Sequence, residues 1–358
     1  MQAKPWKFFL YAPEAWNALL ESVRGAKNSI DFEQFIFADT PIGREFAEVF
    51  KKKSSEGVAV RLLCDTAGSY GFFNSQLHRE LVGAGVNVVF FNHISPWRVH
   101  HMSLWIHRDH RKLAIIDGKE VFLGGVGIND NQRLWRDTHL SVTEISFIEQ
   151  AVALFEAMWR TARDSRFAPF RGGLETRDGF NLVANAPKHG YRHIYYRYVN
   201  ALRKARGYAY MTTPYFVPPR KFVRAACRAA RRGVDVRILL PERSDNFYVD
   251  KAGEHLFHIL FRSGVRVFRY RSSMLHAKTF VIDGAWASVG SANLDNICLR
   301  YNYEITALSS NREFAEAVKG HFLDDLTRSR EVDPHEWARR PWIVKVIEFG
   351  ASLFSEVF

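Results

Sequence analysis

Apolar residues along this chain gather in short, strand-length runs separated by helix-length segments, and the series runs through twice. Ala26-Lys27 opens an apolar run through Ile30 to Phe37, and Ala205-Arg206 opens another through Tyr208 to Phe216. A helical segment follows in each half, then Gly57-Val58-Ala59-Val60-Arg61 or Gly233-Val234-Asp235-Val236-Arg237. A further helix leads to Gly85-Val86-Asn87-Val88 and to Gly264-Val265-Arg266-Val267. Both halves then reach a histidine motif and close on a helical stretch, around Phe155 and around Phe322. Paired landmarks lie 179, 176, 179 and 166 residues apart, a drift that small loop insertions explain. Strands alternating with helices predict an α/β fold: two tandem, pseudo-two-fold related α/β/α sandwich units with mixed sheets, and an active site at their interface. The expected units are 1–170 and 171–330, joined through the Arg- and Gly-rich stretch 161–178, with a C-terminal tail over 331–358.

The histidine motifs carry the chemistry. His110-Arg111-Lys112, with Asp117-Gly118 beyond it, matches His276-Ala277-Lys278 with Asp283-Gly284, so both read H-x-K-x4-D-G. Positions two apart on a strand face the same way, which predicts each His beside its Lys. The Asp-Gly pairs predict hairpin turns, and both aspartates are grouped with the catalytic set. Gly290-Ser291-Ala292-Asn293 follows the second hairpin, and its small residues and hydrogen-bonding side chains suit a phosphate. The matching stretch, Gly124-Gly125-Val126-Gly127, lacks those side chains, leaving the backbone of Gly125 and Gly127, or Asn129, to serve instead. An acid recurs downstream: Asp137 lies 27 residues after His110 and Glu304 lies 28 after His276. A carboxylate accepting from the imidazole Nδ1–H would fix its tautomer, so each half is expected to hold a nucleophile, an orienter and anion-binding groups.

These paired motifs resemble those of the phospholipase D superfamily over nearly the whole chain. More narrowly, the runs His107 to Lys112, Trp135 to His139, Pro214 to Pro218 and Gly290 to Asp295 resemble bacterial cardiolipin synthases. The resemblance implies a two-step exchange at phosphorus without a metal or other cofactor, in which His110 attacks and His276 acts as acid and base. It implies phosphatidyl transfer from phosphatidylglycerol to form cardiolipin, with hydrolysis of phospholipid or of nucleic acid as the alternative. Lys112 and Lys278 would neutralise the phosphoryl oxygens as charge spreads. One departure stands out: Ile297-Cys298 occupies the place where many relatives carry Arg-Ser.

Composition narrows the partners. Fifty Lys and Arg against 38 Asp and Glu give a formal charge of +12, which favours polyanions but does not choose between an anionic lipid surface and nucleic acid. Three cysteines without a CxxC pair speak against a disulfide framework or a zinc site, and suit a reducing compartment. The start of the chain lacks signal-peptide character and no run approaches the ~20 apolar residues of a membrane span, so a cytoplasmic location on the inner membrane surface is expected. Aromatic runs at Tyr70 to Phe73 and at Phe90-Phe91 are candidate walls for acyl chains. The stretch Trp342 to Phe358 is strongly apolar, with Lys345, Glu348, Ser352 and Ser355 forming one polar stripe at helical spacing. That pattern suits a helix lying on a bilayer and a helix packed on the protein's own core equally well.

Overall fold

A computed structural model describes residues 4–93, 106–164, 179–186 and 190–354. The first seven strands are β1 (Trp6–Tyr11), β2 (Ser29–Gln34), β3 (Ala59–Asp65), β4 (Asn87–Phe91), β5 (Lys112–Ile116), β6 (Glu120–Gly124) and β7 (Arg136–Val142). Eleven more follow: β8 (Phe180–Ala186), β9 (Tyr191–Arg192), β10 (Tyr208–Thr212), β11 (Phe216–Val217), β12 (Asp235–Pro241), β13 (Arg266–Tyr270), β14 (Thr279–Ile282), β15 (Trp286–Gly290), β16 (Leu294–Asp295), β17 (Glu304–Ser309) and β18 (Ser329–Glu331).

One sheet runs β1-β7-β6-β5-β2-β3-β4, and the other runs β18-β13-β12-β10-β14-β15-β17-β8-β9. Read from β8 back to β13, the second sheet repeats the first strand for strand. In both, three successive strands are parallel, β2-β3-β4 and β10-β12-β13, and the first of each pairs antiparallel with the motif strand β5 or β14. The predicted pair of mixed-sheet units is present. The repeated Gly-Val landmarks lie where a helix ends and a parallel strand begins: Gly57 and Gly233 have φ of 86° and 92°, a left-handed conformation that glycine adopts at little cost.

Strand alternation explains how the two units join. On β5, Ala114 and Ile116 point to an outer core with the helices Ala12–Gly25 and Pro41–Ser55, whereas Leu113 and Ile115 point inward. On β14, Phe280 and Ile282 face the outer core of the second unit and Val281 faces inward. The inward faces share one central core with the long helices Ile145–Asp164 and Arg312–Thr327, which contribute Leu154, Phe155, Val318 and Phe322. β6 and β7 pack there against β15 and β17. The interface between units is therefore continuous hydrophobic core, which fixes their relative placement.

The candidate acyl-chain walls are placed differently from expectation. Phe72 and Phe90 are buried in the first unit's outer core and Phe91 packs on Tyr303, while Tyr70 is exposed. Most of the stretch expected to join the units lies outside the described residues, and Thr161 to Asp164 belong to the helix that ends there.

Candidate active site

Each histidine stands just before its motif strand. β5 begins at Lys112 and β14 at Thr279, so His110, His276 and Lys278 lie on the approach and not within the ladder. The reason is a partner from the other unit. The His110 N–H donates to the Tyr303 carbonyl at 3.0 Å, and the His276 N–H donates to the Arg136 carbonyl at 2.7 Å. Short parallel bridges, Asp109 to Tyr303 and Arg136 to Leu275, tie the same segments together.

The next residue after each acceptor carries the acid. His110 Nδ1 lies 2.9 Å from Glu304 Oε1, and His276 Nδ1 lies 2.6 Å from Asp137 Oδ2. The orienting pairs are thus exchanged between units, correcting the expectation that each half is complete in itself. Each ring also meets an aromatic at its edge, Phe35 against His110 and Trp135 against His276, with centroids 4.8 and 4.9 Å apart.

The lysines arch back over the histidines. Lys112 Nζ donates to the His110 carbonyl at 2.8 Å, and Lys278 Nζ donates to that of His276. Each ammonium keeps further N–H donors for a ligand. Burial, with repulsion from Lys278 as a smaller contribution, brings Lys112 down to about 8. Lys278 is brought to about 8 by burial. That Lys112 responds to Lys278, and both to Glu304 and Cys298, shows that the two motifs share one electrostatic site.

Burial and the neighbouring Lys278 push His276 down to about 4 against the pull of Asp137, and burial lowers His110 against the pull of Glu304. Both rings are therefore neutral near pH 7. The carboxylates stay ionised: burial alone would raise Asp137 and Glu304, but pairing with His276 and His110, the hydrogen bonds from those rings and the charges of Lys278 and Lys112 hold both below the ordinary value. His276 Nδ1 also lies 2.8 Å from Lys278 Nζ. One nitrogen cannot donate to Asp137 and accept from Lys278 together, so we place its proton toward Asp137. With that proton on Nδ1, Nε2 of each neutral ring carries the lone pair.

The remaining predicted residues divide. Asp117 and Asp283 do not join the site. Asp117 Oδ1 accepts from the N–H groups of Lys27, Asn28 and Ser29, while Asp283 accepts from Arg206, Gly207 and Tyr208. Both have φ near 54° and precede a glycine of positive φ, the type I′ hairpin that Asp-Gly predicts. Their carboxylates pin the turn to the start of β2 or β10, so the catalytic grouping of these two is corrected to a structural one.

The phosphate-binding assignment changes as well. The Ser291 hydroxyl donates to Glu304 Oε2 and accepts from Ile305 N, so it braces the acid. Asn293 is buried with its side chain bonded to Asp295. The Gly125 N–H donates to Thr138 O at 3.0 Å and the Gly127 N–H to Gln132 Oε1 at 2.8 Å. Neither N–H is left for a phosphate. Asn129 accepts from Asn131 N as a local cap. Gly125 has a different use: a Cβ there would lie 2.0 Å from Asp137 Oδ1, so the missing side chain makes room for the acid.

Several residues that build the site stand outside the expected set. Arg108 is bonded through Nε and Nη2 to Asp65 at the end of β3, and the Asp109 N–H donates to the same carboxylate. Arg136 makes a two-pronged pair with Asp325 of the second unit, at 2.9 and 2.7 Å, which anchors the segment carrying Asp137. These arginines fall inside the quoted motifs, but their partners are distant in sequence. Cys298 Sγ lies 3.9 Å from His110 Nδ1. Among the described residues, His110, Cys298 and Glu304 are the one set whose donor atoms could surround a metal, all lying within 4.8 Å. A metal there would have to break the His110–Glu304 hydrogen bond that orients the ring.

With the geometry in place, comparison with known proteins is decisive. Residues 19–159 and 198–326 match the family model described as "Cardiolipin synthase, PLD-like domain". The chain belongs to this phospholipase D-like family. It is 33% identical over 332 residues to cardiolipin synthase A of Pseudomonas fluorescens, covering 90% of this chain and 68% of that one. It is 29% identical over 366 residues to a cardiolipin synthase of Listeria monocytogenes, covering 98% and 75%. The fold also matches the crystal structure of phosphatidylserine synthase from Haemophilus influenzae, with a TM-score of 0.77 at 13% identity over 100% of this chain and 96% of that one. Both matched segments of the family model contain one histidine and the acid that serves the other.

Proposed function

We propose that this chain is a phosphatidyltransferase that forms cardiolipin and glycerol from two phosphatidylglycerol molecules through a covalent phosphohistidine. The observation that carries the reading is the pair of neutral imidazoles, each held at Nδ1 by a buried carboxylate of the opposite unit, with a buried lysine bonded to the backbone of each histidine. The names of the curated relatives supply the lipid substrate.

In the first step His110 Nε2 attacks phosphorus and the bond to the glycerol oxygen breaks, with His276 donating a proton to the leaving alkoxide. The second phosphatidylglycerol then gives its hydroxyl proton to His276, its oxygen attacks phosphorus, and the P–N bond breaks. Glu304 stabilises the charge that develops on His110, and Asp137 that on His276. Lys112 and Lys278 oppose the charge on the non-bridging oxygens. A bound phosphodiester brings the negative charge that raises the depressed imidazole of His276, and a ring of such low pKa is a strong acid toward an alkoxide once protonated. No described helix is long and apolar enough to cross a membrane. A peripheral enzyme on the cytoplasmic face fits that fact, the basic charge and the three free cysteines.

The test is incubation with phosphatidylglycerol vesicles in the presence of chelator, followed by mass analysis. Cardiolipin with free glycerol supports transfer, phosphatidic acid alone would replace it with hydrolysis, and cut oligonucleotides without lipid turnover would make the enzyme a nuclease. His110→Ala and His276→Ala should each lower turnover by at least about 10⁴-fold. With a phosphodiester whose leaving group needs no protonation, H276A should still form the covalent intermediate and H110A should not; the reverse result would exchange the two roles.

A further inference from the structure

The helix Trp342–Ser352 docks through Glu348 and Ala351, while Lys345 of the same polar stripe stays exposed. Glu348 is only 3% exposed and accepts from Arg340 at 3.0 Å, and Ala351 packs on Val249 and Ala252 of the helix Phe247–Glu254. Trp342, Ile343, Val346 and Phe349 face outward, each more than half exposed. A helix that ends its burial at a protein core does the opposite. Phe247 and Tyr248, at 56% and 66% exposure, extend the apolar surface onto the neighbouring helix. Val357 and Phe358 of the same stretch lie outside the described residues.

A second observation says what covers this face. A groove of about 620 Å³ runs between the helix Arg220–Arg231 and the segment made by the His255 turn and the helix Phe257–Phe261 with Ile259, and it reaches Ser352 at the end of the apolar helix. Arg220, Arg224 and Arg228 recur every fourth residue along it, so they share one helix face. None of these three is paired with a carboxylate among the described residues. An unpaired cationic row beside an outward apolar helix complements an anionic phospholipid, phosphate against guanidinium and acyl chains against the helix. The groove adjoins the active site through Asn296, which lines it, while Cys298 two residues on contacts His110.

We propose that the outward face of the helix 342–352, together with the arginine-lined groove, is a docking surface for a bilayer containing anionic phospholipid. The helix lies in the membrane plane, and the arginines hold lipid headgroups at a place separate from the catalytic histidines. This deepens the phospholipid reading of the site, and binding is measured apart from turnover so that the two can fail independently.

The full chain would be sedimented with phosphatidylcholine vesicles, with and without phosphatidylglycerol, as wild type and as the pairs Ile343→Asp/Val346→Asp and Arg224→Glu/Arg228→Glu. Wild type should pellet with the phosphatidylglycerol vesicles. Each pair should weaken that partition about tenfold or more, and added salt should do the same to the wild type. Turnover of a short-chain phosphatidylglycerol dissolved as monomers should stay within about twofold of wild type in both pairs, which shows that they fold. Wild-type partition by either pair would overturn the docking surface. So would a wild-type dimer in solution that the apolar pair converts to monomer without changing vesicle binding. Vesicle binding by a wild type that turns over no lipid would keep the surface and sink the catalytic reading instead.

Discussion

Around His110 the acid is a glutamate, Glu304, braced from behind by the Ser291 hydroxyl, and Cys298 Sγ stands 3.9 Å from the ring. Around His276 the acid is an aspartate, Asp137, with Gly125 in the place of the serine and Lys278 Nζ only 2.8 Å from the ring. The scaffold is the same strand for strand, so the difference lies in side chains alone. A glutamate reaches one methylene further and meets a serine; a shorter aspartate needs its backbone neighbour to give up a Cβ. The environments diverge accordingly: His276 is pushed to about 4 by burial and by Lys278, whose Nζ stands beside its Nδ1, whereas the Cys298 thiol stands beside Nδ1 of His110, which burial lowers with smaller contributions from Lys112 and Lys278. A duplicated site has been given two unequal imidazoles, as a reaction with one attacking and one protonating ring requires.

The exchange of acids between units is the part of this comparison that can be broken most sharply. Glu304→Gln should cripple the chemistry of His110, and Asp137→Asn that of His276, each lowering turnover by about 10³–10⁴-fold because the amide favours the wrong tautomer. With a substrate whose leaving group needs no protonation, D137N should recover covalent-intermediate formation and E304Q should not. Equal recovery by both variants, or recovery by E304Q alone, would return each acid to the histidine of its own half. Next in size is the brace. Gly125→Ala forces a Cβ to within 2.0 Å of Asp137 Oδ1 and should lower turnover by about a hundredfold, whereas Ser291→Ala removes one hydrogen bond to Glu304 and should lower it by about tenfold. Rates ranked the other way would mean that the serine binds substrate.

The lysines should set the alkaline limb. Both are brought to about 8, chiefly by burial, and only their charged forms oppose the phosphoryl charge. In the free enzyme that charge is lost as pH rises through 8, so kcat/KM should fall about tenfold per pH unit or faster above it. A bound phosphodiester favours the ammonium, so the limb of kcat should lie higher. A kcat/KM profile flat to pH 10 would remove the lysines from this role.

Much of the fold was legible because its signals are local. The Asp-Gly hairpins, the Gly-Val strand starts and the closing helices each depend on a few neighbouring residues, and their recurrence ruled out coincidence. The acids show where legibility stops. Asp137 follows His110 by 27 residues and Glu304 follows His276 by 28, a spacing that fits pairing within halves and pairing across them equally well. Only the shared central core, which sets one unit against the other, selects the exchange. Gly125 and Gly127 misled for a related reason: small residues promise open N–H groups, but Thr138 and Gln132 take them. In the tail, helical spacing revealed a polar stripe, while the burial of Glu348 within it depends on Arg340, which pairs with that carboxylate.

The smallest effect concerns the aspartate of the H-x-K-x4-D motif. Asp117 and its counterpart Asp283 each collect three backbone N–H groups at the start of a central strand, far from any imidazole contact. Asp117→Asn keeps an acceptor but loses the charge, and should leave kcat within about twofold while lowering stability by about 1–2 kcal/mol, a few degrees in Tm. Burial is the largest single influence on Asp117 and opposes its ionisation, but the N–H groups of Ser29, Asn28 and Lys27 together outweigh it and hold the carboxyl below the ordinary value. That stabilisation is present above the unfolded carboxyl range and disappears as pH falls through the lowered folded value. The Tm difference between wild type and D117N should therefore be full at pH 7 and shrink in acid. A large loss of kcat at unchanged Tm would instead restore this aspartate to the catalytic set, and with it the expectation that the whole motif acts as one unit.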